Sequence, residues 1–177
     1  MKKILQKNEK ILRHKAVEVP VHDIKKIKIK KVLKEMSLAL QSQNDGVAIA
    51  APQIGYPLRI FLVSGKIFAK DFIKNRPARN TSQSKNLVLI NPKILKFSST
   101  KEWMPEGCLS VRPLYGKTFR STKITITAYD ENGKKFTRGA SGLLAQIFQH
   151  ETDHLDGILF IDHAKDIKEE VPKVVIK

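Results

Sequence analysis

The sequence predicts an α+β fold with mostly antiparallel sheet. Three observations carry that prediction. Segments of β pattern stand both before and after segments of helical period, without the regular alternation of strand and helix that a parallel sheet needs. Residues 123–129 alternate Ile124, Ile126 and Ala128 against Thr125, Thr127 and Tyr129, and an Asn132-Gly133 turn follows, the signature of a hairpin. Residues 141–155 then take up a helical period near the end of the chain. With 177 residues, 41% of them hydrophobic, the chain reads as one domain, residues 1–177. A chain of that size buries about two-thirds of its unfolded surface in one core.

Residues 12–20 read as extended, since Val17 and Val19 alternate with Glu18 and Pro20 closes the run. Across 22–41 the apolar positions Ile24, Ile27, Val32, Met36 and Leu40 fall near helical spacing, with Lys25, Lys26, Lys30, Lys31 and Lys34 mostly between them. An amphipathic helix with a basic outer face is expected there, and Asn44-Asp45-Gly46 ends it. Arg59-Ile60-Phe61-Leu62-Val63 is short, apolar and β-prone, as a buried strand is. Residues 65–85, with Asn75, Pro77, Asn80, Ser82 and Ser84, read as a surface loop. Residues 86–91 and 93–97 are strand-like, 134–138 completes the hairpin, and Val171-Pro172 leaves a short tail.

One cysteine excludes an internal disulfide framework, and no apolar run approaches the roughly 20 residues of a membrane span. The basic start, Met1-Lys2-Lys3, is followed by Ile4 and Leu5 before Gln6 interrupts the apolar run, so no secretion signal is expected. A reduced, cytoplasmic protein that does not enter membranes is the reading. The net charge of +16 rests on 26 Lys and 7 Arg, with twelve Lys/Arg against four Asp/Glu in the first 35 residues. A lysine-rich solvated surface explains this, and a face that lingers near RNA competes with it, because phosphate attraction needs no sequence code. Specific nucleic-acid reading is not expected where the bidentate arginine is scarce.

The strongest local signal is His150-Glu151-Thr152-Asp153-His154. On a helix, histidines four apart project from one face about one turn apart, so both imidazoles reach a single ion. Glu151, on the adjoining flank, is placed to take a proton from a water activated by that ion without being a ligand. A hydrolytic site needs a third protein ligand and an open position. Downstream, His163, Glu169 and Glu170 compete for that role; upstream stands Cys108, although a lone thiol is more often an inert buried group. Leu143, Ile147, His150 and His154 recur at spacings of four, three and four, so two apolar side chains share the histidines' face, as core or as the wall of a pocket.

Glu106-Gly107-Cys108-Leu109-Ser110 and Gln149-His150-Glu151-Thr152-Asp153-His154-Leu155-Asp156-Gly157 resemble two signature motifs of the peptide deformylases. Gly46-Val47-Ala48-Ile49-Ala50-Ala51-Pro52-Gln53 is similar to that family's Gly-x-Gly-aliphatic-Ala-Ala-x-Gln segment, with Ala48 where the second glycine stands. The resemblance extends over residues 12–162 with the motifs in the family's order. It implies sheets packed around a metal-binding helix and a divalent ion, Fe2+ with Ni2+, Co2+ or Zn2+ able to substitute, on Cys108, His150 and His154. It further implies that Glu151 acts as base and then acid, and that the Gln53 side chain and the Leu109 N–H stabilise the oxyanion. Gly46 and Ala48 would lie on an edge that pairs with the extended substrate, Leu143 and Ile147 would wall the methionine slot, and Glu106 and Arg120 would pair to orient the cysteine segment. The implied activity is hydrolysis of the formyl group from N-formylmethionyl nascent chains, with release of formate and transient ribosome contact through the basic surface. Two alternatives are a deformylase-like paralogue of weak activity or other N-acyl substrate, and a basic RNA-associated protein with a vestigial metal site.

Overall fold

In the computed structural model, which describes residues 2–68 and 85–169, eight strands form two antiparallel sheets and two α-helices pack against them. The strands are β1 (Ala48–Ala50), β2 (Ile60–Val63), β3 (Leu87–Phe97), β4 (Lys101–Gly107), β5 (Leu114–Ser121), β6 (Lys123–Tyr129), β7 (Lys135–Ser141) and β8 (Lys165–Glu169). The helices are α1 (Ile27–Gln41) and α2 (Gly142–Leu155). One sheet runs β1-β2-β3-β6-β7, the other β4-β5-β8. The α+β class and the antiparallel pairing are as the sequence predicts.

The large sheet is covered on both faces. Phe61 and Val63 of β2 join Leu89, Ile126 and the α2 residues Ala145, Ile147, Phe148 and Leu155 in one core. Ile60 and Leu62 point the other way, to Ile29, Val32, Met36 and Leu40 of α1. A strand between two helices has no solvent face, which is why Ile60-Phe61-Leu62-Val63 is apolar throughout rather than alternating. Phe61 and Phe148 meet at 5.9 Å between ring centroids, a tilted contact at the centre of the α2 side. Helix α2 also touches β5, so it lies between the two sheets.

Several boundaries differ from the sequence reading for identifiable reasons. Lys10–Arg13 is a 3-10 turn, so the extended run begins after it; Ala16 and Val19 are buried while Val17 is 63% exposed. The first helix begins at Ile27 instead of residue 22, because Lys26 keeps an extended backbone. Ile27 is then 85% exposed and Ile29, not Ile27, takes the first core position. The strand-like stretches 86–91 and 93–97 are one strand, β3, with an irregularity where Asn91 adopts a φ of 51°. Asn91 accepts from the Val19 N–H at 2.8 Å and donates to its carbonyl at 2.7 Å, so its amide imitates a neighbouring strand.

The β6–β7 hairpin is present, but only Gly133 is left-handed, at φ 75°. Asp130 accepts from the backbone N–H groups of Asn132 and Lys134, giving a longer turn closed by a glycine rather than a two-residue Asn-Gly turn. Strands β1, β4, β5 and β8 are additional to those the sequence pattern predicts. The expected loop is described only at its ends, with Gly65–Phe68 a 3-10 turn; its middle, 69–84, and the tail from Glu170 lie outside the described residues. No described helix is long and apolar enough to cross a membrane.

Candidate active site

Helix α2 starts at Ser141 and carries Gly142 to Leu155 past the end of the small sheet. Its polar, inward face is anchored by Gln149, which donates to the Ser121 carbonyl at 2.9 Å and accepts from the Ser121 N–H at 3.0 Å. That two-point tie to β5 fixes the rotation of the helix and with it the direction of His150 and His154. The two imidazole rings stand 4.9 Å apart, nearly perpendicular. Facing them, the chain leaves β4 at Gly107 and turns through Cys108, where the Val111 N–H donates to the Cys108 carbonyl at 3.0 Å. A Cβ added at Gly107 would lie 2.4 Å from the ring of Tyr115, so a larger residue there would displace that ring.

Cys108, His150 and His154 each present a donor atom within 4.8 Å of the other two. Cys108 Sγ lies 3.1 Å from His154 Nε2, and His150 turns its Nδ1 outward to Glu106 at 2.7 Å, which leaves Nε2 for the cluster. One thiolate and two neutral imidazoles suit a borderline transition ion and leave an open position on a tetrahedral centre. His163 is 3.4 Å from Asp153, and among the described residues the three-donor cluster is Cys108, His150 and His154, so the downstream candidates His163 and Glu169 are not part of it. Glu170 lies outside the described residues.

Glu106 holds the ensemble together. Buried at the end of β4, it receives the Thr118 hydroxyl at 2.6 Å, two Arg120 N–H groups at 3.1 and 2.7 Å, the Gln146 amide at 3.2 Å and the His150 ring. Burial alone would raise its carboxyl, but His150 and Arg120 outweigh that and hold it well below the usual carboxylate range. Arg120 continues to Asp153 of α2 at 2.6 Å, so one buried guanidinium joins the cysteine strand to the histidine helix. In the ion-free protein burial lowers His150, yet its bonds to Cys108 and Glu106 carry it well above an ordinary histidine. His154 is pushed the opposite way, first by burial and then by the neighbouring His150.

Glu151 is 4% exposed, and its Oε2 has no hydrogen-bond partner among the described residues. Burial pushes its carboxyl up to about 7. It lines a cavity of about 320 Å³ together with Cys108, His150, Gln53, Leu109 and Ile147. Gln53 sits at the end of a 3-10 turn, Ala51–Ile54, that follows β1. Its Oε1 accepts from the Ala50 N–H at 2.8 Å, which turns the Nε2 group toward Ser110 at 3.0 Å and Cys108 Sγ at 3.6 Å.

The remaining sequence candidates fall on the same cavity. Gly46, Ala48 and Leu143 line it, and Arg120 reaches it through Glu106. Among the described residues β1 is the outermost strand of the large sheet and pairs with β2 alone, so Gly46 and Ala48 lie at a strand edge. Ala48 is extended and 6% exposed; among the described residues the non-glycine positions of positive φ are Asn91 and Asp166, so the alanine at this position carries no backbone strain. Sequence reasoning missed the supports: Thr118, Asp153 and Gln149, and the amino-terminal segment, where the Leu5 N–H donates to the Gln53 carbonyl at 2.8 Å and the Gln6 amide to the Leu109 carbonyl at 3.2 Å. Only Asp153 had a legible signal, an acid at helical spacing from His150.

Against known proteins, a family model described as polypeptide deformylase matches residues 1–170. Peptide deformylase 2 of Clostridium acetobutylicum is 40% identical over 162 residues, 92% of this chain and 94% of that protein. The chloroplastic peptide deformylase 1A of Solanum lycopersicum is 34% identical over 92% of this chain, which spans 59% of that protein's length. The Met-Ala-Ser-bound crystal structure of a class I type b peptide deformylase from Acinetobacter baumannii superposes with a TM-score of 0.76 at 28% identity, covering 90% of this chain and 96% of that one.

Proposed function

The chain belongs to the polypeptide deformylase family, metal-dependent hydrolases that remove the N-terminal formyl group from nascent polypeptides, and from that premise we propose which of its residues do the work. Cys108, His150 and His154 hold the ion, for which ferrous iron is our assignment, with Ni2+, Co2+ or Zn2+ able to replace it. When bound, such an ion supplies a Lewis acid for the formyl oxygen and makes water more acidic. Glu151 takes a proton from the attacking water and returns it to the amine that leaves, so that water adds across the C–N bond and formate and a free amino terminus result. The Gln53 amide and the Leu109 N–H donate to the oxygen on which negative charge develops; one such donor is worth roughly 3 kcal/mol. Ile147 and Leu143 receive the methionine side chain, and the open edge of β1 at Gly46 and Ala48 pairs with the peptide backbone. Glu106 and Arg120 keep the His150 ring and the cysteine turn in register.

The observation that carries this reading is the Glu151 carboxyl, buried, with one oxygen lacking a hydrogen-bond partner among the described residues, and lining the same cavity as Cys108 and His150 of the three-donor cluster. In the ion-free protein burial raises this carboxyl to about 7, into the range where a group gives and takes protons near neutrality. We place the enzyme in the cytoplasm, with transient ribosome contact through its basic surface. The test is formate release from a formyl-Met-Ala-Ser peptide by the iron-loaded protein, beside Glu151→Gln with metal measured in both. Loss of about 100-fold or more in the variant at unchanged metal content supports the assignment. Equal turnover would remove Glu151 from the chemistry, and no turnover by the fully metallated wild type would remove the formyl-methionine substrate.

A further inference from the structure

The outer face of the small sheet, away from Glu106, carries a pair of aromatic rings fenced by lysines. Trp103 of β4 and Phe119 of β5 are directly opposite in the register, their centroids 5.2 Å apart, and they remain 45% and 50% exposed. Lys165 Nζ stands 4.8 Å from the Trp103 ring centre and Lys101 Nζ 6.0 Å from that of Phe119. Lys117, beside Lys165 in the register of β5 and β8, is tied to Asp166 at 3.0 Å. Residues 101, 103, 117 and 119 share this side because they are alternate positions of strands paired in register, while Glu106, Thr118 and Arg120, on the opposite parity, are buried on the other side.

We propose that this face is a docking surface for single-stranded RNA. Two half-exposed aromatic rings are costly to leave in water, and cations on both flanks make the patch complementary to a ligand that presents flat rings and anions in alternation. An acidic peptide would engage the lysines alone, whereas a nucleotide strand can place phosphates on the lysines and stack a base on the ring area that remains exposed. The choice of RNA as the strand rests on the function proposed above, since nascent chains are made on an RNA surface. The net charge of +16 draws any polyanion toward the protein, and the Trp103–Phe119 pair is where it would be held.

Trp103 is the sole tryptophan of the chain, so its emission reports on this face alone. The experiment titrates the metal-loaded protein with a 12-nucleotide single-stranded RNA, with heparin as a polyanion lacking bases and with an acidic peptide. Saturable quenching by RNA is expected, weakened about tenfold in Phe119→Ala, by the loss of one stacking partner. In Lys101→Glu/Lys165→Glu the affinity should fall and the slope of log K against log salt should shrink by about 1.4, two phosphate contacts on a single strand. Deformylation of a formyl tripeptide, measured in parallel, should be unchanged in both variants, which separates a failure of this proposal from a failure of the catalytic assignment. Absence of quenching by RNA, equal binding of heparin and RNA with no effect of Phe119→Ala, or preferential quenching by the acidic peptide would each overturn it.

Discussion

Replacing Glu106 by glutamine changes one atom for another of nearly the same size, yet five hydrogen bonds converge on that carboxylate. Oε1 accepts from Arg120 and faces His150; Oε2 accepts from Thr118, Arg120 and Gln146. A glutamine must turn its NH2 toward one of these sets. Facing Oε1's partners it confronts an Arg120 N–H and can satisfy His150 only if the ring gives up its Nδ1 proton, which moves that proton to Nε2, the nitrogen directed at Cys108. Facing the other set it opposes three donors, of which Thr118 alone can rotate away. Either way Arg120, 6% exposed, loses half of its charge compensation and keeps only Asp153. Breaking one side of a buried pair costs about 3–5 kcal/mol, so about 4 kcal/mol is expected, or a Tm lower by about 10 °C in a chain of this size. Metal affinity should fall by about 10–100-fold, as for other partners of ligating histidines. Urea unfolding of metal-loaded and metal-stripped protein, with a competitive chelator titration, measures both. A Glu106→Gln protein within about 1 kcal/mol of wild type that holds its metal as tightly would refute the reasoning.

Glu151 predicts a pH dependence opposite to that of a salt-bridged acid. Its native carboxyl is raised from 4.5 to about 7 by burial, so the folded ion-free protein holds this proton more tightly than the unfolded chain does. That contribution is fully present below about pH 4.5 and is lost as the pH rises through 7, a decline on the order of 3 kcal/mol. Metal-stripped Glu151→Gln should therefore be more stable than metal-stripped wild type at pH 8 and equal to it near pH 4 in chemical denaturation; an equal gap at both values would contradict the burial argument. Gly157→Ala should cost about 2–4 kcal/mol in thermal unfolding, because φ there is +77° and the new methyl would lie 2.7 Å from the Arg13 carbonyl. Ala48→Gly should lower stability by about 0.5–1 kcal/mol and change kcat/KM for formyl tripeptides less than about threefold, since the alanine is already in an unstrained extended conformation; a large gain in kcat/KM would show that the methyl obstructs substrate.

The parts of the fold legible in the sequence are those whose burial follows one period. Residues 123–129 match β6 because one face meets α2 and the other does not, and Ser141 to Leu155 match α2 because Ala145, Phe148 and Leu155 fall on one stripe. Strands β4 and β5 lack that contrast: their inward side is polar, built from Glu106, Thr118 and Arg120, and their outward side carries Trp103 and Phe119. Pattern reading has the faces inverted there. β8, Lys-Asp-Ile-Lys-Glu, is exposed along its whole length and has no period to detect. At the site, the two histidines are legible from helical geometry alone, whereas Cys108 needed its neighbours' resemblance to a family motif. The brace from Leu5 and Gln6 was beyond reach because it acts through backbone carbonyls of Gln53 and Leu109, which any sequence possesses.

The outermost strand of the large sheet, only three residues long, has a further consequence. An open strand edge is an invitation to any extended chain, including another copy of the same protein, and long flat edges are how soluble proteins become fibres. Here the edge is buried and cut short by the 3-10 turn Ala51–Ile54 after it, where the Gln53 side chain takes the Ala50 N–H, and Ala48 borders a cavity instead of the outer surface. Such an edge reads main chain and is indifferent to side chains, so under the pairing proposed above one enzyme would accept the first residues of many different chains and discriminate only at the position that enters the pocket.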